Sequence, residues 1–378
     1  MIHVEVGLNA AGASLLPGDG QMEKAGFQGI AAAALLTPQW EALQDHAFWP
    51  TQTHACIMAL YRTLLAQSPT RLLTADGDVA IAGVLPLCRD QGYFSRWRIM
   101  GGDELFEPTD ALYDGAGSAD ELARAAARLA HPLYFDRISA ESLMIPALRR
   151  ALRGRGLLSV RPALSSPTIA LDARWTDPES HFNAGRRSDF RRARRRADGL
   201  GVVSFETLAP SAEAFDALFD EAIAVEYLSW KKEAGTAIAA DRAQEMFFRD
   251  YFRDACQRGM FRISFMRIDG KAVAMQLAIQ WSGRYWLFKI GHDDSYSKCS
   301  PGTLLMLHSL GRAAADGLRS YEFLGVIEPW ITQLWTQDQH DCVQLRSYPF
   351  NLRGAAALLS DAAFWLRQRL RPARQNHA

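Results

Sequence analysis

RYWLFKIGHDDSYSKCSPGTLLMLHSLGRAAADG, from Arg284 to Gly317, changes from the period of a strand to the period of a helix at Ser300-Pro301. Ser300 suits the N-cap position, Pro301 suits the first helical position, and Gly317 is a natural C-terminal stop. A helix start that follows a strand and a loop presents unpaired backbone N–H groups to an anion. The segment therefore predicts strand, loop and helix, and its helix start is either a phosphate site or an ordinary capped helix.

The hairpin before this segment has room for a ligand on one face. Asp269-Gly270 lies between two apolar runs and predicts a tight turn. In the strand that follows, one face is expected to be core and comprises Val273, Met275, Leu277 and Ile279. The other face is small and polar, which suits a flat or linear ligand, and comprises Ala274, Gln276 and Ala278. Lys289, among apolar residues of the next strand, indicates either a water-filled cleft or an edge position where the lysine extends to solvent.

The same order of elements occurs earlier in the chain. RLLTADGDVAIAGVLPL (Arg71 to Leu87) parallels FRISFMRIDGKAVAMQLAI (Phe261 to Ile279), with Asp-Gly in the same place. Each hairpin is followed by an arginine-aromatic strand ending in glycine, a helical stretch and another strand. This repetition predicts two copies of one α/β module, unless the two segments share the order by chance.

An arginine-rich helix is predicted between the two copies, in HFNAGRRSDFRRARRRADGLG from His181 to Gly201. One helical stripe is apolar and comprises Phe182, Phe190, Ala193, Ala197 and Leu200. The arginines, which surround the rest of the helix, are Arg186, Arg187, Arg191, Arg192, Arg194, Arg195 and Arg196. They suit a phosphate-rich partner such as CoA, a carrier-protein prosthetic group or tRNA. The alternative is a solvated helix whose arginine stems cover apolar surface.

The overall composition excludes several classes of protein. Lys+Arg and Asp+Glu each number 42 in 378 residues, so any polyanion contact has to come from a local patch. Five scattered cysteines without C-x-x-C spacing predict neither a disulfide framework nor a zinc site, and no metal is expected. The N-terminus lacks a basic region, and the alanine-rich segment at residues 30–36 is too short for a signal or a membrane span. We therefore expect a cytoplasmic protein without an integral membrane segment.

The sequence resembles the acyltransferase domain of the CelD-like (BioF2-like) branch of the GNAT superfamily. That branch is similar to the Fem peptidyl transferases, which also pair two GNAT modules. The arginine helix and the start at Trp40 match the same pattern, and the resemblance covers roughly Leu35 to Phe350. The segments that carry it are SWKKEAGTAI (Ser229 to Ile238), the Asp269-Gly270 hairpin, KIGHDDSYSKCSPGTLL (Lys289 to Leu305) and YEFLGVIEPWITQLWT (Tyr321 to Thr336).

The fold that the resemblance implies is α/β, or α+β with mixed sheets. It consists of two tandem GNAT-like modules, each with a central mixed sheet flanked by helices. The expected divisions are an N-terminal extension at 1–34, an N-terminal GNAT-like module at 35–175, the arginine-rich connecting helix at 176–201, a C-terminal GNAT acyltransferase module at 202–350, and a C-terminal helix and basic tail at 351–378.

The resemblance also implies a donor site. The pantetheine of the donor is expected between two splayed parallel strands, with its phosphates at the following helix start. The residues expected to bind it are Ile290, Gly291, Ser300, Pro301, Gly302 and Thr303. CSPGTLL stands where other GNAT proteins have a Gln/Arg-x-x-Gly-x-Gly loop, so the donor is acyl-CoA (acetyl or longer), an acylated carrier protein or, less favoured, aminoacyl-tRNA. The residues expected to bind substrate are Trp230, Lys231, Gln276 and Lys289. Of these, Trp230 and Lys231 resemble the acceptor-side loop of the family.

Acyl transfer to an amine or hydroxyl needs a base, donors for the carbonyl oxygen and an acid for the leaving group. The sequence shows no G-x-S-x-G nucleophile. Asp293 and Glu328 are the candidate bases. Each is expected at the end of a core strand, where a cleft that excludes water would raise the pKa of a carboxylate. Either residue could instead cap a loop. Tyr296 is the candidate acid or a packing residue. Backbone N–H groups near Ile290 would stabilise the oxyanion.

The sequence thus predicts an acyltransferase that moves an acyl group from a thioester to a small-molecule amine or hydroxyl. By family analogy it would serve envelope, polysaccharide or lipid metabolism. Two alternatives stay open: a Fem-like aminoacyl transferase that uses aminoacyl-tRNA, and a catalytically degenerate GNAT scaffold or carrier-protein partner. The N-terminal module, which lacks the Ser-Pro-Gly helix start, is expected to supply acceptor-side walls and no donor site.

Overall fold

Strands and helices recur in a similar order in the two halves of the computed structural model, which describes residues 27–28, 36–77, 80–89, 95–229, 238–325 and 327–370. The first half contains β1 (Phe27–Gln28), α1 (Thr37–Leu43), α2 (His54–Arg62), β2 (Thr70–Asp76), β3 (Ile81–Arg89), β4 (Trp97–Ile99), α3 (Gly102–Leu105), β5 (Leu112–Tyr113), α4 (Ala116–Arg128), β6 (Tyr134–Ser139), α5 (Met144–Ala151), β7 (Gly156–Pro162) and β8 (Ser166–Ala170).

The second half contains α6 (Ala184–Asp198), β9 (Val203–Leu208), α7 (Ala212–Tyr227), α8 (Arg242–Gln257), β10 (Phe261–Ile268), β11 (Lys271–Trp281), β12 (Arg284–His292), α9 (Pro301–Ala315), β13 (Ser320–Glu322), α10 (Pro329–Leu334), β14 (Gln339–His340), β15 (Cys342–Pro349) and α11 (Leu352–Leu370). A 3₁₀ turn, Asp294–Cys299, joins β12 to α9. Sheets flanked by helices in both halves confirm the predicted α/β class. The C-terminal sheet is mixed, whereas the strand pairs of the N-terminal half are antiparallel.

The C-terminal sheet has seven strands in the order β14-β8-β13-β12-β11-β10-β9. The pair β12 and β13 is parallel, and its neighbours are antiparallel. The predicted hairpin between β10 and β11 is confirmed, and its turn residues Asp269 and Gly270 both have positive φ, 48° and 80°. Asp269 also accepts a hydrogen bond from the Val202 N–H at 2.8 Å, which ties the start of β9 to this turn.

The N-terminal sheet runs β1-β2-β3-β4, with β5 on β3. A single parallel bridge, Trp97 to Leu133, joins β4 to the segment that leads into β6. There a second sheet continues in the order β6-β15-β7. The helix α4 packs Leu122, Ala123 and Ala126 against this half in one apolar cluster.

The two modules exchange strands. β8 precedes α6 in the chain, yet it lies between β13 and β14 in the C-terminal sheet. β15 is the last strand of the second module in the sequence, yet it lies between β6 and β7, with Leu345 opposite both Phe135 and Val160. The predicted boundaries at 35–175 and 202–350 follow the order of the sequence, whereas each of these two strands pairs in the sheet of the other module. The boundaries stay a prediction.

An apolar cluster joins the modules. It combines Trp40, Trp49 and residues of α2 with Phe215 and Phe219 of α7, the aromatic face of α8, and Trp286 of β12. Ion pairs lie at its margin: Arg62 to Asp250 at 2.8 Å and Arg258 to Glu41 at 2.7 Å. Because the cluster is shared, the modules are one packed unit with a common core.

The arginine-rich helix is confirmed as α6, and the Asn183 side chain caps it by accepting the Arg186 N–H at 2.9 Å. Its buried face is shorter than predicted. Phe190, Ala193 and Ala197 are buried, but Leu200 is 55% exposed because the helix ends at Asp198, before that residue. The predicted apolar stripe is therefore wrong at its C-terminal end.

The start of α9 differs from the prediction. Ser300 precedes the helix, but its backbone is left-handed (φ 49°, ψ 55°) and its side chain makes no capping hydrogen bond. The 3₁₀ turn ends at Cys299, and the chain reverses at Ser300, so the Ser300 side chain does not cap the helix. The predicted stop is confirmed, since Gly317 has φ 72° and donates its N–H to the Ala314 carbonyl.

The faces of β11 also differ from strict alternation. Met275, Leu277 and Ile279 belong to the shared core as predicted, but Val273 packs with Ala274 in another cluster. The register against β10 shifts between Met266 and Arg267, which leaves Val273 unpaired and turns it to the other face.

All five cysteines lie in described ranges, and each is a buried free thiol. Within the ranges that the structure describes, every helix is too short or too polar to cross a bilayer. The same residues hold no group of three or more His, Cys, Asp or Glu side chains that could bind a metal ion.

Candidate donor cleft

The parallel strands β12 and β13 separate after a short pairing. They pair from Arg284 opposite Ser320 to Trp286 opposite Glu322, and then β13 ends while β12 continues to His292. A cavity of about 490 Å³ lies beside this opening. Its walls come from β11, β12, the 3₁₀ turn, α9 and α10, and comprise Met275, Gln276, Ile290, Gly291, His292, Ser297, Ser300, Pro301, Gly302, Thr303, Leu305, Met306, Glu328, Trp330, Leu334 and Trp335.

The first turn of α9 forms one wall of this cavity. At Gly302, an added Cβ would meet only the His292 Nδ1, at 3.7 Å, so the backbone is open to an approaching group. A helix start carries a positive dipole end. Here the N–H groups of Ser300, Thr303 and Leu304 already donate to backbone carbonyls and Pro301 has none, which leaves the Gly302 N–H as the donor that faces the cavity within the described residues. The arrangement therefore suits an anion at Gly302.

Gln276 contributes an unsatisfied polar atom to the same cavity. The residue is 2% exposed, and its Nε2 lies 3.7 Å from the Met306 Sδ. Its Oε1 is buried without a hydrogen-bond partner in the described part of the chain. A buried acceptor without a partner is costly, so this oxygen is suited to accept a hydrogen bond from a ligand N–H.

The strand β12 carries a bulge next to the cavity. Leu277 pairs with Lys289 and Ala278 with Leu287, so Phe288 has no partner on β11. Bulges redirect the residues that follow them, which here are those at Ile290 and Gly291. At Gly291 a Cβ would lie 2.8 Å from the Glu226 Cα of α7, so only glycine allows this close packing.

Asp293 does not line the cavity, and the expectation of a raised pKa is wrong. Its carboxylate is 6% exposed and accepts hydrogen bonds from the Ser295 N–H (3.0 Å), the Ser295 Oγ (2.6 Å) and the Lys271 Nζ (3.0 Å). Burial by itself would raise its pKa, but the hydrogen bonds from Ser295 and Lys271 outweigh it, and the pKa is lowered. The residue caps the 3₁₀ turn.

We expect Asp293→Ala to reduce stability more than turnover. Loss of the turn cap is expected to cost about 1–2 kcal/mol, seen as a lower unfolding midpoint, while the folded enzyme keeps its turnover within a few-fold. Lys271→Gln, which removes only the half-exposed ion-pair partner, should change the midpoint less. An unchanged midpoint with a ~100-fold or greater loss of turnover would instead make Asp293 the base.

Three other predicted residues lie apart from one another. Tyr296 is half-buried beside the cluster around Met266, with the Lys271 Nζ 5.1 Å from its ring centroid, and it is not a cavity wall. Lys289 is half-buried, with its Nζ 4.8 Å from the ring centroid of Phe248 on α8. Glu328 does line the cavity, is exposed, and accepts the Trp330 Nε1–H at 2.6 Å.

The structure thus brings eight predicted residues to one cavity: Gln276, Ile290, Gly291, Ser300, Pro301, Gly302, Thr303 and Glu328. Asp293, Tyr296 and Lys289 are not among its walls. Trp230 and Lys231 lie outside the described residues. The roles of all these residues stay predictions.

Sequence reasoning missed Glu107. This residue follows α3 in the N-terminal module, is 6% exposed, and accepts the backbone N–H of Gly325, just after β13 ends. Burial raises its pKa to about 7, although the Gly325 N–H and the charges of Lys289 and Arg137 act in the opposite direction. No periodicity marks it, because only the packing of the modules brings residues 107 and 325 together.

Arg137 also joins the two modules beside the contact between Glu107 and Gly325. It is 2% exposed and donates to the carbonyl oxygens of Phe106, Gly325 and Leu164, the last at 3.0 Å. One side chain therefore connects the loop of Glu107, the segment before β8 and the end of β13. The N-terminal module contacts the segment after β13 through this pair, although neither residue is a wall of the 490 Å³ cavity.

Comparison with known proteins agrees with this geometry. Residues 184–330 match the family model described as the acetyltransferase (GNAT) domain. FemX has 11% identity and a TM-score of 0.56 over 86% of this chain and 98% of that one. The C-terminal domain of a putative lysylphosphatidylglycerol synthetase from Agrobacterium fabrum has 13% identity and a TM-score of 0.53, over 88% and 96%. A conserved protein of unknown function from Bacteroides thetaiotaomicron has 9% identity and a TM-score of 0.53, over 85% and 98%.

At these identities the solved structures show the fold alone, and FemX shows it across both halves of the chain. No curated protein matches the sequence significantly. The splayed strands, the helix start and the matched domain define a protein of the acyl-transfer class. Residues 184–330 therefore form a GNAT domain, as the sequence predicts; assignment to the CelD-like branch stays a prediction.

Proposed function

We propose that this protein is an acyltransferase that takes an acyl group from a pantetheine thioester, acyl-CoA or an acylated carrier protein, and passes it to an amine or hydroxyl of a small molecule. The observation that carries the proposal is the cavity beside the splayed strands β12 and β13, bordered by the open helix start at Gly302. The segments that resemble the CelD-like branch, Lys289 to Leu305 and Tyr321 to Thr336, border the same cavity.

The walls of the cleft suit a pantetheine arm. Apolar side chains from β11, α9 and α10 can enclose its carbon chain, and they include Met275, Met306, Leu334 and Trp335. The unsatisfied Gln276 Oε1 can accept an N–H from one of the two amides of the arm. The bare backbone at Gly302 leaves room for its phosphate.

The proposed chemistry uses residues on both sides of the sheet. Backbone N–H groups at the β12 bulge near Ile290 would stabilise negative charge on the acyl oxygen. Glu107, at the end of β13 beside the Lys289 charge, would accept the proton of the acceptor amine or hydroxyl. A new C–N or C–O bond forms, the C–S bond breaks, and the displaced thiolate takes a proton from water. A carboxylate with a pKa of about 7 suits proton transfer near neutral pH.

Glu107 replaces the earlier candidates because each has a competing role or position. The Asp293 carboxylate has a lowered pKa and caps a turn. Glu328 is exposed at the cavity wall that faces α9, where the donor arm is proposed to lie, and its Oε2 is bound to the Trp330 indole. The contact between Glu107 and Gly325 instead places a carboxylate at the junction of the two modules, where an acceptor could enter.

Donor binding tests the proposal directly. Acetyl-CoA, a long-chain acyl-CoA and an acylated carrier protein would each be added in a thermal unfolding experiment, and at least one is expected to raise the midpoint. Gln276→Leu, which keeps the volume but removes the acceptor oxygen, is expected to weaken binding by about 3- to 10-fold. If no thioester shifts the midpoint and none is turned over with a panel of amines, the acyltransferase proposal fails and a scaffold role is favoured.

A further inference from the structure

The outward face of α6 is strongly basic. Arg191 and Arg195 are exposed on the side opposite the buried stripe, and they make no ion pair within the described part of the chain. The neighbouring Arg192 pairs with Asp189, and Arg194 pairs with Asp198 at 2.9 Å. The face therefore carries an excess of positive charge, although the charges of the whole chain balance.

This basic face borders the donor cleft. Arg196 donates to the backbone carbonyl of Lys298 at 3.0 Å, and the adjacent Ser297 is a cavity wall. Ala193 and Ala197 on the inner side of α6 pack with Leu304 and Leu305 of α9. The helix is thus fixed along α9, whose first turn forms one wall of the cleft, and Arg196 contacts the turn at the edge of the cleft.

The shape and composition of the face favour a protein partner. The helix has 15 residues, or ~22 Å, which is longer than the nucleotide of one CoA molecule. Asp189 and Asp198 pair within the helix with Arg192 and Arg194, so Arg191 and Arg195 are left to attract an acidic surface. The helix offers no base-stacking platform, because Phe190, its one aromatic residue, is 3% exposed.

We propose that α6 is the docking surface for an acidic carrier protein, which delivers the acyl thioester on its phosphopantetheine arm. The inference rests on the proposed acyltransferase function and identifies the donor of that reaction. The acidic surface of the carrier lies on Arg191 and Arg195, while its arm passes Lys298 and Ser297 into the cleft. The arm then lies along the first turn of α9 at Gly302, as in the proposed donor site.

The test compares three donors with the same acyl group: acylated carrier protein, acyl-CoA and acylpantetheine, which has neither carrier nor phosphate. The double variant Arg191→Glu/Arg195→Glu is expected to lower kcat/KM for the acylated carrier protein by about tenfold or more and to flatten its salt dependence. Acylpantetheine turnover should stay unchanged. The matched control is Arg128→Glu/Arg153→Glu, two exposed arginines of a groove in the N-terminal module, which should affect no donor.

Each remaining outcome has a separate meaning. An equal loss with acyl-CoA and acylated carrier protein would overturn the inference and assign α6 to the phosphates of CoA. Competition by tRNA for α6 without use of the carrier would overturn it in favour of nucleic acid. If acylpantetheine is turned over but the carrier gives no advantage, docking is wrong while the acyltransferase function stands. If no thioester is turned over, the proposed function fails as well.

Discussion

Gly302→Val is expected to abolish donor binding without unfolding the protein. The glycine is the second residue of α9 and lines the cleft, where an added Cβ would meet only the His292 ring nitrogen at 3.7 Å. The branched side chain would therefore fit the folded protein but occupy the space into which the phosphate is proposed to move. We expect a loss of affinity of about 100-fold or more for every pantetheine thioester, measured by calorimetric titration, with an unchanged unfolding midpoint.

Gly117→Val is a matched control. Gly117 is the second residue of α4, the corresponding helix of the N-terminal module, and an added Cβ there would meet nothing within 4 Å. Valine has a slightly better helix propensity than glycine, so neither variant should lose stability. If Gly302→Val binds thioesters as tightly as the parent, the phosphate does not lie at the α9 start.

Glu107→Gln is expected to lower kcat by about 10²- to 10⁴-fold, the usual range for loss of a general base, and to leave donor affinity unchanged. In the parent enzyme, kcat should rise with pH, with a midpoint near pH 7; this rise is the acidic limb of the pH–rate profile. The reason is that burial raises the pKa of Glu107 to about 7, and only the ionised carboxylate accepts a proton. The variant should lack that limb. A pH–rate profile with the limb retained would exclude Glu107 as the base.

Asp110→Asn is the control for burial alone. Asp110 lies in the same loop, is 6% exposed, and its pKa is likewise raised to about 7 by burial, against the hydrogen bonds from Ser142 and Ala111. It lines a different, smaller cavity, so its removal should leave turnover largely intact. A similar loss of kcat in both variants would point to a structural effect on the loop.

Both carboxylates should also affect stability in the same direction. Each is protonated in the folded protein at a pH where the unfolded chain, with pKa values of 4.5 and 3.8, has released the proton. Their stabilising contribution is complete below those unfolded values and is lost as pH rises through about 7. The unfolding midpoint should therefore fall across that window in the parent and fall less steeply in each variant.

The donor side of the site could be predicted from the sequence because it is local. Strand, turn and helix between Arg284 and Gly317 are continuous in the chain, and hydrophobic period and glycine placement reveal them. Gly302 and Ile290 therefore lie where they were expected. Ser300 differs in detail, because its left-handed backbone depends on the 3₁₀ turn before it, which a capping rule does not consider.

The opposite side of the site could not be predicted, because it depends on distant contacts. Glu107 and Gly325 are far apart in the sequence, and their hydrogen bond exists only when the modules pack together. The lowered pKa of Asp293 similarly comes from Lys271, on the neighbouring strand, and from the turn at Ser295. A carboxylate at a strand end has no predictable protonation until its partners are known.

The strand exchange has a consequence for biosynthesis. When β6 and β7 have left the ribosome, the strand that separates them has not yet been made, since Leu345 pairs with both Phe135 and Val160. At ordinary elongation rates the gap before β15 emerges lasts on the order of 10–40 s. During that time the edges of β6 and β7 are open to wrong pairings, which a chaperone or rapid docking of α4 and α5 would have to prevent. A chain truncated before Cys342 would therefore lack the central strand of a sheet in its first module, although all of that module's own sequence had been made.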